Sequence, residues 1–235
     1  MLFTNWFLIF GGSTMFDIKK MMPDLHIGIQ LTRACDGKVL KQYQEKGHSW
    51  TRNAYNYLLG LLTRCGGTSQ TEFGKGYLSS KTSSGNVHGQ SDYYCHRSQD
   101  FLGFGYYNTT TNGGLVGGIR AGSGDTAFSL EDYNLATLIS HGTGAGQLTR
   151  AAMTYPVVSY SDKIWTTIIS RDFTNGSGND VTVRELGLFN RCMIFTDYSY
   201  DYLFARDVLE TPVVVGDAEI LTIKYKISKD FSEID

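Results

Sequence analysis

Residues 164–173 read Ile-Trp-Thr-Thr-Ile-Ile-Ser-Arg-Asp-Phe and are the first of four runs rich in β-branched and aromatic residues. The next three read Val-Thr-Val-Arg-Glu-Leu-Gly-Leu-Phe (181–189), Tyr-Leu-Phe-Ala-Arg-Asp-Val-Leu (202–209) and Ile-Leu-Thr-Ile-Lys-Tyr-Lys-Ile (220–227). Such residues suit a pleated, half-buried surface. In the last run apolar and polar residues alternate, as in a strand with one face on a core and the other in water. The C-terminal third is therefore predicted to be an antiparallel sheet.

The segment between the first two runs is rich in turn-forming residues. Residues 175–180 read Asn-Gly-Ser-Gly-Asn-Asp, and glycine and asparagine supply the positive φ that a hairpin connection needs. A hairpin is therefore predicted between these two runs.

Further strands are expected nearer the N-terminus. Residues 26–32 and 39–43 read as two short strands, and Asp36-Gly37 between them is a common hairpin signal. Residues 115–120 and 148–160 have the apolar character of further strands. The fold is predicted to be all-β and mainly antiparallel, as a β-sandwich or a jelly-roll-like arrangement.

Residues 49–65 change to a helical period. Six apolar residues recur on one face of this segment: Trp50, Ala54, Tyr57, Leu58, Leu61 and Leu62. Ser49 suits the N-cap, and Gly66 with Gly67 suits the end. We expect one amphipathic helix that packs its apolar stripe on the sheet. A membrane-surface helix would instead carry a polar face rich in lysine and arginine.

The domain organisation is predicted to be simple. At 235 residues, without a proline-rich or charged linker, the chain is interpreted as an N-terminal arm (residues 1–20) and a single β-rich domain (residues 21–235). The apolar first ten residues lack the basic start of a signal peptide and are too short to span a membrane. They are expected to pack on their own domain or on a neighbouring subunit. Residues 68–114 are interpreted as an irregular aromatic insertion that contacts partners.

The net charge bears on nucleic-acid binding, and the cysteine spacing bears on disulfide bonds. The formal net charge is −2 and no charged block stands out, so direct nucleic-acid binding is not expected. The four cysteines, Cys35, Cys65, Cys95 and Cys192, contain no Cys-x-x-Cys pair. They are interpreted as reduced, buried thiols, with one disulfide left open as an alternative.

Glycine-rich and histidine-containing stretches do not form the motifs of a cofactor or metal site. Residues 142–146 read Gly-Thr-Gly-Ala-Gly, but the residues after them read as strand, whereas a phosphate loop needs a helix there. The five histidines do not share metal-ligand spacing. No cofactor and no metal is therefore predicted.

Catalytic motifs are not recognised either. No Gly-x-Ser-x-Gly elbow occurs. A glycosidase pair of carboxylates stays open, because such residues meet in space and not in sequence. Glu185 and Asp207 lie in predicted strands and are interpreted as cross-strand partners of Arg184, Arg206 or Arg171. No catalytic residue is assigned, and an enzyme is the class that the sequence favours least.

An ordered series of short segments covers about half of the chain. It reads Gly-Ile-Arg-Ala-Gly-Ser-Gly-Asp-Thr-Ala (118–127), Asp-Tyr-Asn-Leu-Ala (132–136), Ile-Ser-His-Gly-Thr-Gly-Ala-Gly-Gln-Leu (139–148), Phe-Thr-Asn-Gly-Ser-Gly (173–178), Val-Arg-Glu-Leu-Gly-Leu-Phe (183–189), Leu-Phe-Ala-Arg-Asp-Val-Leu (203–209), Pro-Val-Val-Val-Gly-Asp (212–217) and Leu-Thr-Ile-Lys-Tyr-Lys-Ile (221–227). This series resembles a group of tailed-bacteriophage virion structural proteins. The N-terminal arm and residues 74–107 have no counterpart in the resemblance.

The resemblance implies a structural part of a virion, assembled in the host cytoplasm as a symmetric oligomer at the neck, collar or tail. Its expected partners are copies of itself and other virion proteins. Aromatic side chains commonly anchor such interfaces. The candidates lie in the arm and the aromatic insertion: Trp6, Phe7, Tyr93, Tyr94, Tyr106 and Tyr107.

Two alternatives stay open beside this interpretation. The first is a capsid decoration or head-fibre protein that contacts the major shell. The second is a carbohydrate-binding module for host recognition, with a host surface glycan held in a groove at Tyr93, Tyr106 and Asn108, since sugar pockets mix aromatic walls with a few polar groups.

Overall fold

The computed structural model describes residues 22–47, 50–63, 79–89, 117–154, 156–194 and 198–232. Within these residues the chain forms eleven strands and one helix. The strands make a six-stranded sheet, a three-stranded sheet and a two-stranded hairpin, with antiparallel pairing between neighbouring strands. The two larger sheets pack face to face, which confirms the predicted all-β sandwich.

The elements follow one another along the chain with these bounds: β1 Asp24–Arg33, β2 Val39–Gly47, α1 Arg52–Thr63, β3 Ser79–Lys81, β4 Val87–Gly89, β5 Gly118–Gly122, β6 Thr149–Arg150, β7 Val157–Ser161, β8 Ile164–Thr174, β9 Val181–Ile194, β10 Tyr198–Val215 and β11 Glu219–Asp230. The large sheet has the order β2-β1-β11-β8-β6, and β7 also pairs with β8. The small sheet has the order β10-β9-β5.

The core lies between the inner faces of the two sheets. Ile27 on β1 lies opposite Tyr225 on β11, which in turn lies opposite Ile169 on β8, and all three are fully buried. The small sheet contributes Val183 and Leu188 from β9 to the same cluster. In β1 and β11 the apolar side chains are buried on a two-residue period, which fixes their register, because a slip by one residue would turn each set toward water.

The four C-terminal strands are divided between the two sheets, so the hairpin predicted at residues 175–180 is wrong. β8 pairs with β11, whereas β9 pairs with β10 and β5. The 175–180 connection therefore passes from the large sheet to the small one, and residues 216–218 return from β10 to β11. The glycine-rich connection forms the corner between the two sheets. Gly178 in it has a φ of +73°, which glycine adopts without strain.

Asn175 holds this corner together. Its buried Nδ2 group donates to the carbonyls of Asn179 and Val215, both at 2.7 Å. Its backbone N–H donates to the Glu219 carbonyl at 2.9 Å, and its own carbonyl accepts from the Ala218 N–H at 2.9 Å. Val215 belongs to the small sheet and Glu219 to the large one, so one asparagine links the strand ends of both.

The predicted helix is confirmed, with a different start. α1 begins at Arg52, and the hydroxyl of the preceding Thr51 donates to the Leu203 carbonyl on β10 at 2.6 Å. The Tyr57 ring lies 5.3 Å from the Phe204 ring, centroid to centroid. The apolar face of α1 therefore packs on β10 through Tyr57, and Ala54 and Tyr57 belong to the same buried cluster as the sandwich core. In the described part of the chain, no helix is long and apolar enough to cross a membrane.

The predicted hairpin of β1 and β2 is confirmed, but one cysteine is not where it was expected. The Arg33 N–H donates to the Lys38 carbonyl at 3.0 Å, and Gly37 adopts a φ of +68° in the turn. Cys35 lies in this turn as a free, exposed cysteine. The prediction of a buried thiol is wrong at this position, because residues 33–40 at the tip of the hairpin are exposed.

Candidate functional site

Glu185 on β9 is a fully buried carboxylate that accepts four hydrogen bonds. Arg206 Nε donates to it at 2.7 Å. Three backbone N–H groups of the segment 123–137 also donate: Thr137 at 2.8 Å, Ala136 at 3.1 Å and Gly124 at 3.2 Å. Buried charge is tolerated when it is paired and hydrogen-bonded in this way. The carboxylate therefore fastens an irregular segment to the small sheet.

Close packing around Glu185 explains two of the glycines in the segment 122–125. A Cβ atom at Gly122 or at Gly124 would lie 2.6 Å from Glu185 Oε1. No real Cβ approaches an oxygen so closely, so both positions need glycine for the carboxylate to reach the backbone N–H groups. The sequence indicates only a turn here, and the carboxylate that requires it lies more than sixty residues further along the chain.

Arg206 on β10 completes this centre from the other side. Its Nη1 donates to Asp132 Oδ2 at 2.9 Å, and its Nη2 donates to the Thr126 carbonyl at 2.9 Å. Burial by itself lowers the pKa of Arg206, but the hydrogen bonds to Glu185 and Asp132 outweigh burial, so the pKa is raised. We call Glu185, Arg206, Asp132 and the segment 123–137 the Glu185 centre.

The predicted pairing of strand carboxylates with arginines is confirmed for Glu185 and Arg206. Asp207 accepts a hydrogen bond from the buried Tyr225 hydroxyl at 3.1 Å. Burial first, and then the charge of Asp207, raises the pKa of Tyr225 well above its ordinary value. A carboxylate that is fully buried with its oxygens already bonded, as in Glu185, is unsuited to act as a base on a substrate.

A second charged group, the arginine cluster, gathers side chains from both sheets. It comprises Arg120 on β5, Arg150 on β6, Arg171 on β8, Arg191 on β9 and Asp201 on β10. Asp201 forms a short ion pair with Arg120 and contacts Arg191 Nη1 at 3.3 Å. The fully buried Arg171 donates to the Ile119 carbonyl at 2.8 Å across the sandwich.

Burial and mutual repulsion act together on two members of the arginine cluster. Burial first, and then the positive charge of Arg120, lowers the pKa of Arg150 to about 10. Burial, followed by the charges of Arg150 and Arg120, lowers the pKa of Arg171 to about 9. Both groups stay protonated near neutral pH. The cluster therefore stores positive charge that Asp201 balances only in part.

The β6–β7 edge is the third feature, formed by residues 149–150 and 157–161 lying one after the other along β8. Val157, Val158 and Tyr160 are exposed by 64 %, 60 % and 66 %. Val158 lies opposite the buried Thr167, and residues directly opposite in an antiparallel pair share a face. The apolar inner face of the large sheet thus continues along β7 into solvent.

The β7–β8 turn is a two-residue hairpin that the sequence analysis did not identify. Asp162 and Lys163 have φ values of 52° and 63°, and positive φ at both central residues is the mark of a type I′ turn. The sequence signal is weak here, because Asp-Lys is less favoured in such a turn than Asn-Gly or Asp-Gly.

The glycine-rich segment 142–146 is a structural turn in the described chain. The Gly144 N–H donates to the Gln147 side-chain oxygen at 2.9 Å, and the short strand β6 follows. No helix begins after this turn in the described residues up to 154, so the arrangement lacks the helix N-terminus that a phosphate loop uses.

The six aromatic residues predicted as interface anchors lie outside the described residues: Trp6, Phe7, Tyr93, Tyr94, Tyr106 and Tyr107. The same holds for the arm at residues 1–20 and for most of the predicted insertion at residues 68–114, of which β3 and β4 are described. In the part of the chain that the structure describes, no group of three or more metal-ligating side chains is found. Comparison with family models, with curated proteins and with solved structures finds no match.

Proposed function

We propose that this chain is a structural component of a tailed-bacteriophage virion that assembles as a symmetric oligomer at the neck or tail. The resemblance of residues 118–227 supports the class of protein. The exposed apolar face of β7 supports the mode of action, which is contact with other chains. Neither argument depends on a chemical step.

The β7 strand has the features of an edge that pairs with another chain. An edge strand presents unpaired N–H and C=O groups, and natural proteins usually blunt it with lysine, proline or a bulge. β7 reads Val-Val-Ser-Tyr-Ser without a charge. Among the described strands, only β8 pairs with it. This edge therefore offers both backbone hydrogen bonds and apolar side chains to a partner.

The opposite edge of the same sheet behaves differently. β2 carries Lys41, Glu45 and Lys46, charges that oppose pairing between edges. Part of it is also held to the small sheet, because the Tyr43 hydroxyl donates to the Thr211 carbonyl at 3.0 Å. Burial first, and then the charge of Glu45, raises the pKa of Tyr43 to about 12. Only one edge of the large sheet is thus suited to assembly.

Five residues of β7 form a small contact. Stable protein interfaces bury roughly 1,600 Å² in total, and one pair of short strands supplies a fraction of that. We therefore assign β7 to one of several contacts that hold each copy in a closed ring. A closed ring repeats each weak contact, and symmetry then stabilises the whole.

Analysis of purified virions tests the class of protein. The expected result is that mass spectrometry detects this chain in the particles at a copy number equal to the symmetry of a neck or tail ring. Removal of the chain should give heads without completed tails. Absence of the chain from purified particles contradicts the proposal. Complete, tailed particles formed without the chain favour the capsid-decoration alternative instead, and binding of the isolated chain to host glycans favours the carbohydrate-binding alternative.

A further inference from the structure

Arg150 is the least satisfied charged residue in the arginine cluster. Its Nε and Nη1 atoms are buried and have no hydrogen-bond partner among the described residues. Arg120 is itself buried, and its Nε likewise has no acceptor in the described part of the chain. Buried polar atoms are almost always bonded, and an exception calls for a specific explanation such as a bound water or ion.

Asp201 compensates for Arg150 only in part, because its two oxygens have other partners. One of its carboxylate oxygens is taken by Arg120, and the other accepts from Arg191 Nη1 at 3.3 Å and from the Gly117 N–H at 3.2 Å. Among the described residues, Asp201 is the carboxylate that pairs with Arg120 and Arg191, and no carboxylate forms an ion pair with Arg150. Like charges that are also partly removed from water repel one another strongly.

We propose that a small oxyanion of the phosphate or sulfate class binds at Arg150, in the arginine cluster. The guanidinium group is the side chain best suited to oxyanions, because its planar N–H donors match the spacing of their oxygens. The unpartnered nitrogens of Arg150 and Arg120 are buried, which suits a small ion. This site is separate from the β7 surface and does not depend on assembly.

Inorganic phosphate is the probe for this site. Titrated into the full-length protein at constant ionic strength, phosphate should bind in calorimetry and should raise the thermal unfolding midpoint above that in chloride, because a ligand of the folded state stabilises it. The Arg150→Gln variant should bind phosphate at least tenfold more weakly. Arg33→Gln is the matched control, since Arg33 is exposed, pairs with Asp36 and ends β1, three strand positions away from β6 in the large sheet. Its affinity for phosphate should equal that of the wild type.

Line broadening of the phosphorus resonance of phosphate by wild-type protein gives a second readout that needs no variant. The proposal is overturned if wild-type protein neither broadens that resonance nor is stabilised by phosphate beyond chloride. It is equally overturned if Arg150→Gln keeps the wild-type affinity, or if Arg33→Gln loses as much affinity as Arg150→Gln, because the effect is then general screening by an adventitious ion only.

Discussion

The Glu185 centre and the β6–β7 edge differ in how completely other residues of the chain satisfy their hydrogen-bonding groups and cover their apolar surface. At the Glu185 centre four donors meet one carboxylate, and Arg206 in turn has acceptors for each of its three nitrogens. At the β6–β7 edge, Arg150 has buried donors without an acceptor among the described residues, and Val158 and Tyr160 expose an apolar surface to water. Both regions belong to the same sandwich, and both contain an arginine with buried nitrogen atoms.

This difference indicates that the Glu185 centre stabilises the fold, whereas the β6–β7 edge contacts other molecules. A buried ion pair with complete hydrogen bonding fixes one arrangement of the segment 123–137, and it has no capacity left for a ligand. Unsatisfied donors and exposed apolar surface favour binding, because a second molecule that covers them lowers the free energy. We therefore expect changes at the Glu185 centre to affect stability, and changes at the β6–β7 edge to affect binding and assembly.

The largest effect is expected for Glu185→Gln. Removal of one partner from a buried ion pair costs about 3–5 kcal/mol, because the remaining charge stays buried and uncompensated. The free energy of unfolding, measured by urea denaturation, should fall by about that amount. Glu131→Gln is the control, since its carboxylate is largely exposed in an ion pair with Arg52, and it should change stability by less than about 1 kcal/mol. Equal losses in both variants would contradict the assigned role of Glu185.

The same substitution at two arginines sharpens the comparison directly. Arg206→Met leaves Glu185 buried without its cation and should cost roughly 3 kcal/mol. Arg150→Met removes a charge that repels its neighbours, so its free energy of unfolding in phosphate-free buffer should fall by less than about 1 kcal/mol, or rise. If Arg150→Met proves as destabilising as Arg206→Met, Arg150 is a structural group and the contrast fails.

A smaller loss is expected at the corner between the sheets. Asn175→Ala removes the donor to the Val215 carbonyl and should lower the free energy of unfolding by about 1–3 kcal/mol, the typical cost of an unsatisfied buried polar group. Asn179→Ala, at an exposed position of the same loop, should change it by about 0.5 kcal/mol or less. A result in which both variants match the wild type would remove Asn175 as the link between the sheets.

The contribution of Tyr225 to the free energy of unfolding is expected to depend on pH. Its pKa is raised in the folded protein, so the folded protein keeps the phenol proton at a pH where the unfolded chain releases it. The stability contributed by Tyr225 is therefore complete below pH 10 and declines above it, by about 1.4 kcal/mol per pH unit. The gap in unfolding free energy between wild type and Tyr225→Phe should narrow from pH 9.5 to pH 11. A gap that stays constant would mean that Tyr225 ionises equally in both states.

The sequence predicts the local part of this fold well. The alternation in residues 220–227 gives the buried face of β11, and Asp36-Gly37 gives the first hairpin. It fails at residues 175–180, because a glycine-rich connection has the same composition whether it joins paired strands or crosses between sheets. Which strands pair depends on residues distant along the chain, and in this protein Asn175 makes its key contacts near residues 215–219.

The sites are predicted less completely, for a related reason. Arg171 and Arg206 stand inside apolar strand runs, and this pattern alone indicates buried, paired charge. Arg150 lies in a two-residue strand and Asp201 lies fifty residues away, so no spacing rule brings them together. The absence of charge in residues 157–161 is readable as an unprotected edge, but only once β7 is known to lie at the margin of the sheet.

Light scattering on the full-length protein over a range of concentrations tests assembly through β7 most directly. We predict that the wild-type mass rises with concentration above the 26.2 kDa of one chain. The double variant Val158→Lys, Tyr160→Lys should assemble less at every concentration, whereas the matched variant Val39→Lys, Leu40→Lys on the exposed part of β2 should follow the wild type. Wild-type protein that stays at 26.2 kDa throughout, or a β7 variant that assembles like the wild type, contradicts this account.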